Sequence, residues 1–133
     1  MKPYQCVGYS ILQTTAISAI VGTRVNHGLR PTGSILPSIN YYEVNSRRTW
    51  GFESVDYSIN CRAKTAGASR DLARLVLNLF TGSSSTGIYG TINSFDISRA
   101  SLKNDAGLIP ETEDDIFNSP VDITIVYPSS TVN

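Results

Sequence analysis

His27 is the single histidine of this 133-residue chain, and Cys6 and Cys61 are its two thiols, so any nucleophilic chemistry of the cysteine–histidine kind would have to be assembled from them. Such a dyad needs an imidazole within hydrogen-bond reach of the sulfur and a third group to orient the ring. Cys61 instead stands in an alternating segment, on the side shared by Val55, Tyr57 and Ile59, where cysteine serves as a small hydrophobe. No catalytic residue is expected. One histidine and two distant cysteines also cannot supply the four ligands of a structural zinc site at the usual spacings. The acidic run Glu111, Thr112, Glu113, Asp114 and Asp115 lacks the alternating ligands and the mid-loop glycine of a calcium-binding EF-hand, and reads as a solvated loop. The glycine-containing segments Gly28 to Gly33 and Gly82 to Gly90 have neither phosphate-loop spacing nor a lysine to meet a phosphate. They read as turns, and no metal or cofactor is expected.

Two clusters suit contact with another protein. Arg47, Arg48 and Trp50 combine arginine with tryptophan, the composition of binding hot spots. The alternative is that Trp50 folds back onto its own sheet. The second cluster is the acidic set Glu111, Glu113, Asp114 and Asp115.

Eleven basic and eleven acidic side chains cancel, which removes any global field toward DNA phosphates or anionic lipid. With 41% hydrophobic and 17% charged residues, the composition is that of a chain with a packed core, and its length fits one domain, residues 1–133. The cysteine usage and the absence of a basic, apolar and cleavable start predict a reducing, cytoplasmic origin. The longest apolar run near the start, Ala16 to Val21, is interrupted by Ser18 and is far short of the roughly 20 residues needed to cross a bilayer.

The elements that must position these residues follow from periodicity. Tyr4, Val7, Ile11 and Leu12 recur at helical spacing within Tyr4 to Gln13, although Gly8 weakens that helix. Thr14 or Thr15 can cap a second short piece, Ala16 to Val21, which Gly22 would end. Thr23 to Pro37 reads as loop around a short strand near Arg24 to His27. Ser38 to Asn45 is a strand rich in aromatic and β-branched residues. Val55, Tyr57, Ile59, Cys61 and Ala63 alternate with Asp56, Ser58, Asn60, Arg62 and Lys64, which predicts a strand with one buried and one wet face. Asn45 to Phe52 would join these strands as a polar hairpin loop with Arg47 and Arg48 at its tip.

From Thr65 to Phe80 the period turns helical, with Leu72, Leu75, Val76 and Leu79 on one stripe, Thr65 as N-cap and Gly82 as stop. The Ser-rich Gly82 to Gly87 is a flexible link. Ile88 to Leu102 reads as one long strand whose phase changes after Ile92, as a bulge would cause. Lys103 to Asp115 is a loop, and Phe117 to Tyr127 alternates as a last strand. The sum is an α+β fold, a mostly antiparallel sheet of four to five strands with two helices packed on one face.

Several strings in this order resemble the tail terminator, or tail completion, proteins of long-tailed bacteriophages. They are "LQTTAISAIVGTRV" from Leu12 to Val25, "LPSINYYEV" from Leu36 to Val44, "YSINCRAKTAGASRDLARLVLNLFTG" from Tyr57 to Gly82, and "NSPVDITIVY" from Asn118 to Tyr127. The resemblance spans nearly the whole chain and rests on order, spacing and size, since each string is mostly structural punctuation. It implies a non-enzymatic virion protein, made in the host cytoplasm. Such a protein forms a six-fold ring at the head-proximal end of the tail tube, stops tube polymerisation and joins the tail to the head connector. DNA then passes through the lumen without specific binding.

A ring closes by heterologous contacts, so each subunit must present two different complementary surfaces. The basic segment at Arg47 and Arg48 and the acidic loop Glu111 to Asp115 are the expected candidates, and the acidic loop could equally line the channel. Three rivals follow from the sequence. Another neck component, an adaptor or stopper, differs in ring symmetry and neighbour. A small enzyme or ligand-binding domain would depend on His27 or Cys61. A nucleic-acid-binding module would show steep salt dependence, which the neutral charge balance argues against.

Overall fold

The computed structural model describes residues 3–28, 35–81, 90–92, 95–97, 99–105, 107, 109–110 and 116–129. Two helices open the chain, α1 (Pro3–Gln13) and α2 (Thr15–Val21), separated by Thr14 in an extended conformation. The Thr14 hydroxyl donates to the Ser10 carbonyl at 2.9 Å, so it closes α1 and makes no side-chain cap for α2. Val7, Ile11, Ile17 and Val21 are fully buried. Leu12, expected on the same stripe, is exposed, and the buried face of α1 runs through Cys6, Val7, Ser10 and Ile11 instead. Gly22 ends α2 at φ 59°, its N–H bonding the Ser18 carbonyl at 2.8 Å. Arg24 then fastens this corner, donating to the Ile20 carbonyl at the end of α2 and to the Pro37 carbonyl at 2.9 Å. A cation beside the last carbonyls of a helix is favourably placed in the helix dipole.

The sheet is built from β1 (Val25–His27), β2 (Ser38–Thr49), β3 (Phe52–Ala63), β6 (Arg99–Asp105) and β8 (Phe117–Pro128), in the order β1-β2-β3-β8-β6. A short β7 (Ile109–Pro110) also pairs with β8. Every pairing is antiparallel except β1 with β2, where Val25 lies beside Ile39 and His27 beside Tyr41. This is the expected α+β class. The chain's last strand is central in the sheet, paired along its whole length with β3 from Phe52↔Pro128 to Ala63↔Phe117.

Helix α3 (Ala66–Thr81) starts as expected, with the Thr65 hydroxyl accepting from the Ala68 N–H at 3.1 Å. It lays Leu72, Ala73, Val76 and Phe80 onto β3 and β8, joining α1 and α2 on the same side of the sheet. Their partners are Ile39, Tyr41, Val55, Tyr57, Ile59, Cys61, Val121, Ile123, Ile125 and Tyr127, one continuous cluster. Each fully buried large side chain contributes roughly 1.5–3 kcal/mol. Ser69 adds a polar rivet: its hydroxyl donates to the Cys61 carbonyl at 2.8 Å, so Ser119, 2.7 Å away, must be the donor in the bond they share.

Four expectations change. The hairpin loop Asn45 to Phe52 is strand for most of its length, because β2 runs on to Thr49 and only Trp50 and Gly51 turn. The phase change after Ile92 is a reversal instead of a bulge, since β4 (Gly90–Ile92) pairs antiparallel with β5 (Phe95–Ile97), and β6 is a separate strand. That strand includes Lys103, which the sequence assigns to a loop. The wet face of β3 is also not wet: Asp56, Ser58 and Asn60 are all buried, because short side chains in a central strand are overhung by longer ones on either side. The Ser-rich link, Gly82 and the acidic residues Glu111, Glu113, Asp114 and Asp115 lie outside the described residues.

Candidate protein interface on the polar face of the sheet

No described helix packs on the second face, which carries Asn40, Tyr42, Asn45 and Arg47 from β2 opposite Asn60, Ser58, Asp56 and Ser54 of β3. A bulge between Glu43 and Asn45 throws Val44 outward and restores the alternation, so that Arg47 comes to this face while Arg48 points to the other. Trp50 and Gly51 both take positive φ, 50° and 81°, as a two-residue primed turn requires. Glycine does so freely, whereas tryptophan there is uncommon. The turn holds Trp50 out with 95% of its surface exposed, so it does not fold back onto the sheet.

Neither arginine is left to act as a bare charge. Arg47 grips Asp56 with both terminal nitrogens, at 3.0 and 3.3 Å. Lys103 reaches the same carboxylate from β6 at 2.7 Å and the Thr124 hydroxyl donates to it at 2.6 Å. The Asp56 side chain is 2% exposed. Its carboxyl is held well below the usual range by the Arg47 hydrogen bonds, with Lys103 and Thr124 adding to them against the opposing effect of burial. Arg48 pairs with Glu53 through Nε at 3.0 Å and through Nη2. The Glu53 carboxyl is lowered by Arg48 first and then by the Tyr127 hydroxyl. Both pairs staple the hairpin to itself and to β8.

At the other end of this face the polar groups are not all satisfied. Asn40 Nδ2 donates to the Gly28 carbonyl at 2.9 Å, Arg62 donates to Asn40 Oδ1, and Asn118 Nδ2 donates to Asn60 Oδ1 at 2.9 Å. That chain leaves Asn60 Nδ2, Asn118 Oδ1 and Ser38 Oγ buried without a partner. Beside them lies an open depression of about 310 Å³ lined by Gly28, Asn40, Tyr42 and Arg62. Sequence reasoning missed this site, because its residues read as the outward half of an alternation; only the density of asparagine, at 40, 60 and 118, could have hinted at it.

His27 and Cys61 are kept apart. The His27 ring stacks on Tyr4, centroids 4.3 Å apart, and leans toward Tyr41 at 5.3 Å. Cys61 sits two strands away, about 9–10 Å by strand spacing alone, and is fully buried. Burial pushes the Cys6 thiol up, away from the thiolate a nucleophile needs. Among the described residues no three metal-ligating side chains gather, and no helix is long and apolar enough to cross a membrane.

No protein-family model matches this sequence, and no curated protein does either. Among solved structures, the chain is similar to one from the virion of a native gene transfer agent particle, with a TM-score of 0.62 at 13% identity. The match covers 92% of this chain and 91% of that one, so the two share their fold over most of their length.

Proposed function

We propose that this chain is a structural virion subunit that forms a ring at the head-proximal end of a phage tail tube, where it ends polymerisation and joins the tail to the head connector. The observation that carries the reading is the likeness of fold, over most of the chain, to a chain of a virion particle. The resemblance of four strings to tail terminators narrows it, and those strings fall on the α2 corner, the start of β2, the β3 to α3 connection and β8. A heterologous ring needs two different complementary surfaces on each subunit, and the β2–β3 hairpin, with the exposed Trp50 at its tip, is a candidate for one of them. Arg47 and Arg48 pair across that hairpin with Asp56 and Glu53, and the acidic residues Glu111 to Asp115 remain candidates for the second surface or the channel wall.

The direct test is to add the protein to its tail tube protein during polymerisation and follow tube length by electron microscopy. Tubes that stop growing, each carrying one ring of density at a single end, support the reading. Unchanged tubes with a ring bound to an isolated head connector would reassign the chain to a head-side neck component.

A further inference from the structure

Two features of the polar face are incomplete in opposite senses. At one end, Trp50 exposes a large aromatic surface, and a tryptophan buries about 150–250 Å² when it finds a site. At the other end stands the depression of about 310 Å³, walled by the Tyr42 ring and the Arg62 guanidinium, both of which favour an aromatic neighbour. Gly28 and Asn40 complete its lining, and an indole brings one N–H donor to that polar edge.

We propose that this depression is the receptor for Trp50 of a second copy of the chain, making a head-to-tail contact. The same molecule cannot supply the indole: Phe52 and Asn60 are eight residues apart on one straight strand, about 27 Å. Knob and socket are therefore different surfaces of one subunit, at opposite ends of its sheet, which is the condition for a contact that repeats and closes. The inference rests on the ring reading and names the contact that builds the ring.

The test uses two variants at exposed positions, chosen so that folding survives. Trp50→Ala removes the knob and Tyr42→Glu puts a charge into the socket. Thermal melts check that each variant is folded, and native mass spectrometry and analytical ultracentrifugation read its assembly. Each variant alone is expected to lose the oligomer, with the dissociation constant of the contact raised at least about thirtyfold. Mixed one to one, they are expected to form heterodimers and nothing larger, since one intact knob meets one intact socket. Oligomers that persist in both variants, or a mixture that stays monomeric, overturn the proposal while leaving the ring reading standing. A wild-type protein that is monomeric both alone and on tail tube overturns both.

Discussion

Arg47 and Asp56 form a two-pronged ion pair across the β2–β3 ladder, with the arginine half exposed and the carboxylate almost completely covered. The pair sits just past the bulge at Val44, and without that extra residue Arg47 would project from the opposite face. Lys103 and Thr124 complete the shell from β6 and β8, so one carboxylate ties together four strands.

This arrangement has an acid signature. Asp56 and Glu53 are both held below their ordinary values, so the folded state binds fewer protons than the unfolded one. Their stabilisation is complete above about pH 5, where the unfolded carboxyls are fully ionised, and fades as pH falls from there toward the lowered folded values. Urea melts between pH 7 and pH 2 should show stability falling through that window. Asp56→Asn should be less stable at pH 7 and should fall less steeply with acid. Parallel curves for the two proteins would mean the carboxylate contributes nothing to the pH dependence.

Gly8 makes room for Tyr41. A Cβ at that position would stand 2.5 Å from the Tyr41 hydroxyl, which cannot swing away without losing its 2.8 Å bond to the Tyr4 carbonyl. Gly8→Ala should therefore destabilise by about 1–3 kcal/mol despite alanine's better helix propensity. Adding Tyr41→Phe, which removes the clashing oxygen, should make the second change cost less than it does alone. Chemical denaturation of the two single variants and the double variant measures this; additive losses would refute the contact.

Gly51 and Trp50 predict opposite outcomes within one turn. Gly51→Ala puts a side chain at φ 81° and should cost about 1–2 kcal/mol. Trp50→Ala removes a side chain that touches almost nothing in its own chain and should change stability by less than about 0.5 kcal/mol. Unfolding midpoints at a concentration low enough to dissociate any oligomer separate the two.

Ser69 and Ser119 are also unequal. Ser69 makes two bonds, to the Cys61 carbonyl and to Ser119, whereas Ser119's side chain is the donor in only one of them. Both are fully buried, so Ser69→Ala should cost about 1–3 kcal/mol and Ser119→Ala less. Chemical denaturation of the two variants measures this, and a larger loss at Ser119 would contradict the ranking.

The sequence made the architecture legible where one rule acted alone. Thr65 is read correctly as a cap, Gly22 as a helix end, and Val55 to Ala63 as a strand, because capping chemistry, left-handed backbone and a period of two are local properties. It misled where a long-range partner decides. The polar residues Asn45 to Thr49 look like a loop, yet pairing to β3 makes them strand. Asp56 looks solvent-facing, yet β2, β6 and β8 close over it. In the candidate interface, Trp50 is legible by composition, but the depression is not: Gly28, Asn40, Tyr42 and Arg62 come from the end of β1, from β2 and from β3, and are neighbours only through the register.

The measurement closest to the central claim is the mass of the native particle formed by the purified protein with its tail tube, read together with the rotational symmetry of its end-on electron-microscopy averages. A closed ring of six copies seated on one end of the tube is the predicted result. A monodisperse monomer that ignores the tube at every concentration tested would contradict it.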